Sequence, residues 1–210
     1  MTKKIDPEPR WPAFIAMLAA SGVYLALPEP LSVGPSWGLL GIIVLLLIPI
    51  GISHRVGHIK VLRILTFTAN GVITLAMITS LAILIHGITL HNEAPKDLLR
   101  SATALWFSNV LVFALWYWKL DAGGPLGRDN RADGLNSSFL FPQMLSQNEG
   151  DPHWTPQFVD YLFLAFNTST AFSPTDTAAL SRWAKLGMML QSLISLTIVV
   201  LLAARAVNIL

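Results

Sequence analysis

Residues 186–204 of this chain run nineteen positions without a single Asp, Glu, Lys or Arg. At about 1.5 Å per helical residue that is long enough to cross a ~30 Å hydrocarbon layer. The stretch before it constrains the fold still more. Residues 160–176, DYLFLAFNTSTAFSPTD, begin as an apolar helical run and stop partway across. The helix expected over residues 157–167 is only about 16 Å long. It ends in hydroxyls, a proline and a carboxylate. In lipid, non-helical backbone at depth persists only where protein or a water-filled cavity satisfies its polar groups. Short helix, polar turn and full span is the order of a re-entrant pore loop, and it implies a cavity shared by several chains.

The rest of the sequence fits that setting. Only 12% of the residues are charged, against about 25% in soluble domains, and the mean hydropathy is +0.58. The expected class is an all-α integral membrane protein of the cell inner (plasma) membrane. It should have about five transmembrane helices plus a re-entrant pore helix and filter-like loop. The first span is expected at residues 11–27, the second from Ser36 or Trp37 to about Ser53, the third at 64–86, the fourth at 101–118 and the last at 186–204. A signal peptide is the rival reading of the first, since Lys3 and Lys4 precede it. Asp6, Glu8 and two prolines break that charged region, and no good cleavage site follows. Tryptophans 11, 37, 106, 116, 118, 154 and 183 fall mostly at span ends, as an interfacial belt requires. Residues 120–154 read as a solvated cap, partly ordered around Phe139, Leu140 and Phe141. Within it GGPLG lacks the flanking strand and helix of a phosphate loop. Two units follow: three N-terminal spans over residues 1–100 and a pore-like module over residues 101–210.

Several function classes are disfavoured. A net charge of +2 is too small to suggest nucleic acid, and the absence of cysteine removes thiol chemistry and disulfides. The expected spans hold no charged residue, nor a nucleophile beside a base, so neither intramembrane catalysis nor proton pumping is expected. No cofactor is implied. His54 and His58 stand at i, i+4 and could share a helical face toward a metal, but no third ligand is evident and a solvated loop is the plainer reading. His86 and His91 read the same way. Asn136-Ser137-Ser138 fits a glycosylation sequon that has meaning only in a secretory host.

Residues 157–208 resemble the pore module of the potassium-channel superfamily. There a pore helix leads into a filter of the type T-x-T-T-V-G-Y-G-D and then an inner helix. Thr168, Ser169, Thr170, Ala171, Phe172, Ser173, Pro174, Thr175 and Asp176 take that register without a gap, and Trp183-Ala184-Lys185-Leu186 is similar to the W-G-R-L that opens some inner helices. The fourth span would stand for the outer helix. The chain as a whole looks more like an uncharacterised bacterial membrane-protein family with a degenerate pore loop. The resemblance implies a homotetramer passing monovalent cations.

The departures are specific. Ser173 and Thr175 occupy glycine positions whose backbone angles cost other residues roughly 1–2 kcal/mol each. Pro174 replaces the aromatic and fixes φ near −65°. Stacked carbonyl cages of the potassium type are therefore not expected. A wider, wetter opening would be lined by Thr168, Thr170, Ser173 and Asp176, with Asp176 favouring cations, or closed by a ring of Phe172. On the last span Gln191 and Ser195 share a face that either lines this path or packs on another helix. The expected function is a channel-like protein, cation-permeable or gated shut. The alternative is a non-conducting scaffold or accessory subunit with a plugged loop. Basic residues around Arg55, Lys60 and Arg63 place the loop's entry in the cytoplasm by the positive-inside rule. The resemblance places it outside, and the longer ungapped register is given precedence.

Overall fold

The computed structural model describes residues 8–28, 31, 34–89, 95–129, 137–145, 154–170 and 176–207. Helix α1 (Trp11–Gly22) tightens into a 3-10 turn over Val23–Ala26, and Leu27 is extended. Then come α2 (Gly38–Val56), α3 (Ile59–Thr89) and α4 (Pro95–Leu120). A second 3-10 turn (Asp121–Gly123) and short α5 (Pro125–Asp129) follow. The chain continues through β1 (Phe139–Leu140), α6 (Pro142–Leu145), α7 (Phe158–Thr170), β2 (Ala178–Ala179) and α8 (Arg182–Val207). The fold is mostly helical. Among the described residues four helices are long and apolar enough to cross a membrane: α2, α3, α4 with its extension, and α8. The fifth expected span is the shorter stretch Trp11–Ala26, because the helix winds down after Gly22 and gives out before Pro28.

The long helices overrun the uncharged runs that announce them. Arg55 lies in the last turn of α2, and Lys60 and Arg63 lie in the first turns of α3. What reads as a basic loop is a turn at Gly57 and His58. Gly57 takes φ 79°, a left-handed angle that a side chain strains, and ends α2. That break separates His54 from His58, so the two share no helix.

Helix α4 is the central post. About 67% of its apolar window is buried, against 17% for α2 and 17% for α8. It packs on α1, α3, α7 and α8, and one hydrophobic cluster runs from Ala13 and Met17 through Leu105 and Leu115 to Tyr161 and Ile198. That cluster joins residues 1–100 to residues 101–210. The outer faces of α2 and α8 expose Leu45, Ile48, Leu186, Met189 and Leu193, a load of apolar surface that water does not tolerate and that lipid or a further subunit would cover.

Antiparallel pairing of β1 with β2 sets Phe139 opposite Ala179 and Leu140 opposite Ala178. The chain therefore returns after α7 to the place it left before α7. Trp118, Asp121, Arg128, Ser138, Tyr161 and Trp183 are hydrogen-bonded into one network there, together with Glu8. So α4 ends, and α1, α7 and α8 begin, at one end of the bundle.

Candidate functional site: a short helix with two anchors

Helix α7 has thirteen residues, about 20 Å of helix against a ~30 Å layer. It starts at Phe158, one residue later than expected. The carboxylate of Asp160 accepts the Gln157 N–H at 2.7 Å, the N3-to-N-cap half of a capping box, and the negative charge suits this end of the helix dipole. It also ends later than expected. Thr168, Ser169 and Thr170, read in sequence as the start of an extended filter, form the last helical turn. Thr168 and Thr170 turn their hydroxyls back to the Leu164 and Phe166 carbonyls at 2.8 and 2.9 Å. Ala171, Phe172, Ser173, Pro174 and Thr175 lie outside the described residues, as do His91 and Asn136. Asp176 is exposed beyond them.

The tip of α7 poses a definite physical problem. The last four carbonyls of any helix lack intrahelical partners, and in lipid each must find one. Helix α8 supplies partners for two of them. Ser192 Oγ donates to the Thr168 carbonyl at 3.1 Å and Ser195 Oγ to the Ser169 carbonyl at 2.8 Å. Gln191 Nε2 donates to the Ala165 carbonyl at 2.7 Å and to Ser169 Oγ at 2.8 Å. Its Oε1 accepts from Tyr117 Oη at 2.7 Å, and its backbone carbonyl accepts from Asn109 Nδ2 at 3.2 Å. One wholly buried amide thus ties α4, α7 and α8 together. A Cβ at Gly187 would come within 3.3 Å of the Tyr117 ring, so the glycine lets the tyrosine reach Gln191. Of the two uses foreseen for the Gln191 and Ser195 face, the structure has packing on α7 and α4.

The base of α7 is held by charge. Asp121, Arg128, Ser138, Phe139 and Phe141, all in the expected solvated cap, are instead buried. Gly123 and Gly124 reverse the chain at the end of α4 with φ 82° and 81°, and a Cβ on Gly124 would sit 2.8 Å from the Lys119 carbonyl oxygen. The reversal brings Arg128 back over the helix end, where Nη1 donates to the Trp118 and Asp121 carbonyls at 2.8 and 3.1 Å. A cation there also complements the helix dipole. Its Nη2 meets Glu8 Oε2 at 2.8 Å with both side chains about 5% exposed or less, and Glu8 Oε1 accepts from Trp118 Nε1.

Asp121, also wholly buried, accepts from the Ser138 N–H at one oxygen. At the other it accepts from Ser137 Oγ at 2.7 Å and Tyr161 Oη at 2.6 Å. Burial above all, with Asp121 and Glu8 adding to it against the pull of Arg128, raises the Tyr161 phenol far above its ordinary range. The phenol therefore stays a donor. Trp183 Nε1 completes the base by donating to Ser138 Oγ at 3.0 Å. Phe139 is packed among Tyr117, Tyr161 and Trp183 at ring separations of 5.1, 6.3 and 5.7 Å.

Sequence reasoning missed Glu8, Asp121 and Arg128 because their partners lie up to 120 positions away. The paired glycines after α4 were the available signal, since they mark a reversal that returns the next basic residue onto the helix end.

Fold and site together define a class: a helical protein, consistent with a membrane protein, in which a short helix is stitched at both ends to longer ones. Comparison of the chain with family models, with characterised proteins and with solved structures found no match.

Proposed function

We propose that this protein is a multi-pass membrane protein whose α4, α7, turn and α8 form a pore module, assembled as a homotetramer around the turn that ends in Asp176. The observation that carries the reading is the treatment of the α7 tip. A helix too short to span has its Thr168 and Ser169 carbonyls met by Ser192 and Ser195, with Gln191 bridging one turn back to the Ala165 carbonyl, a device that suits backbone ending at membrane depth. The β1–β2 pairing at its base supports a loop that enters and leaves on one side. Four copies of the turn would supply a ring of carboxylates that attracts cations.

The side of entry follows from charge. Arg10, Arg55, Lys60, Arg63, Lys119, Arg128, Arg182 and Lys185 gather toward the end where α7 starts, whereas Lys96 and Arg100 open α4 at the opposite end. The positive-inside rule then puts the loop's entry in the cytoplasm. That orientation outweighs the external placement implied by the potassium-channel resemblance.

Purified protein in liposomes should pass monovalent cations, and Asp176→Asn should lower the flux several-fold by removing the ring of charge. Absence of flux at every potential and pH would eliminate conduction. One observation favours a second reading, a non-conducting scaffold: Gln191 and Ser195 spend their hydrogen-bond donors inside the protomer. That reading gains if the oligomer forms, a partner co-purifies and no ion moves.

A further inference from the structure

A second feature at the basic end stands apart from α7. Between α1, the α2–α3 turn and the end of α4 lies a cavity of about 160 Å³. A space of roughly 150 Å³ admits a benzene-sized guest, and a phosphate group is smaller. Its walls divide by chemistry. Ala13, Phe14, Met17, Ile59 and Leu62 make one part apolar, while Arg10, His54, Arg63 and Lys119 are the ionisable residues of its lining. No acidic side chain lines it among the described residues. Glu8, which lies one hydrogen bond beyond the lining residue Trp118, has its two oxygens on Trp118 and Arg128.

Lys119 is the telling member. It is 8% exposed, and its Nζ has no hydrogen-bond partner among the described residues. The contact it does make is with the Phe67 ring, 4.7 Å from the centroid, and the Arg63 guanidinium lies 5.8 Å from the same centroid. Two cations thus approach one aromatic ring, which offsets only part of the cost of withdrawing an ammonium from water. The cost of leaving a buried charge unpaired is several kcal/mol. An oxyanion seated between Lys119 and Arg63 would supply the missing acceptor.

We propose that this cavity binds a phosphate group, with Lys119 and Arg63 as its principal ligands and Arg10 and His54 at its rim. Apolar and basic walls side by side suit the phosphate of an anionic lipid headgroup, with acyl chains along Phe14 and Met17. Basic pockets between membrane helices on the cytoplasmic side are a recurrent way of holding such headgroups. The site does not depend on whether the α7 loop conducts.

The test is thermal stability of the purified full chain in neutral detergent. The probes are phosphatidylglycerol, phosphatidylcholine and inorganic phosphate alone. Phosphatidylglycerol should raise the melting temperature and phosphatidylcholine should not. A full shift with inorganic phosphate would assign the source as a free anion, and a shift with phosphatidylglycerol alone would assign it as lipid; either supports the site. Lys119→Met, which keeps the stem and removes the charge, should abolish the shift yet melt no lower than wild type without ligand. Arg63→Gln, at an exposed position that burdens folding less, should weaken the response about tenfold in concentration, as expected for a lost charge-assisted hydrogen bond. No shift with either anion, or an undiminished shift in both variants, would overturn the proposal.

Discussion

The two ends of α7 are held by different chemistry. At the base, ions do the work: Glu8 with Arg128, and Asp121 with Tyr161, Ser137 and the Ser138 amide. At the tip, every anchor is neutral, an amide and two hydroxyls from α8. Under the proposed re-entrant placement, the difference follows from the solvent each end would meet. Charge is tolerable where headgroups and water lie close, and expensive toward the middle of a bilayer, where neutral donors on facing helices serve instead. The change from ionic to neutral anchoring along some 20 Å of helix is what a segment descending into a membrane would be expected to have.

That contrast predicts unequal costs. Arg128→Met should be the most damaging, because it strands Glu8 as a buried charge and uncaps α4; about 3–5 kcal/mol of stability should be lost, read as the drop in urea or thermal midpoint. Glu8→Gln combined with Arg128→Met should recover much of it, since no unpaired charge then remains. Gln191→Leu comes next, at about 1–3 kcal/mol, because the Tyr117 hydroxyl and the Ala165 carbonyl lose their shared partner. Ser195→Ala should cost least, about 0.6 kcal/mol as for hydrogen bonds measured between membrane helices. If Ser195→Ala were as costly as Arg128→Met, the distinction between the ends would not stand.

The helices were legible in the sequence and their anchors were only half so. Uncharged runs announce α2, α3, α4 and α8, because a hydrocarbon layer excludes charge over a fixed length. The runs understate the helices, which carry Arg55, Lys60 and Arg63 past the ends of the uncharged runs on unbroken backbone or around a single glycine turn. At the tip, Gln191 and Ser195 were visible as polar positions one turn apart in an apolar span. Which neighbour they faced was not, since a pore and a packed helix ask for the same residues. At the base nothing periodic marks Glu8, Asp121 or Arg128. Their burial depends on a chain reversal at Gly123 and Gly124 and on contacts across most of the sequence, so composition alone reads them as solvated.

The channel reading depends on siblings meeting around one axis near Asp176. The sequence contains no cysteine, so Asp176→Cys gives a single spin-label site per chain. Electron–electron distance measurements on that variant in liposomes should return two distances with a ratio of about 1.4, the diagonal and side of a fourfold ring. A sample without any intermolecular distance, the protein remaining monomeric in the bilayer, would contradict it.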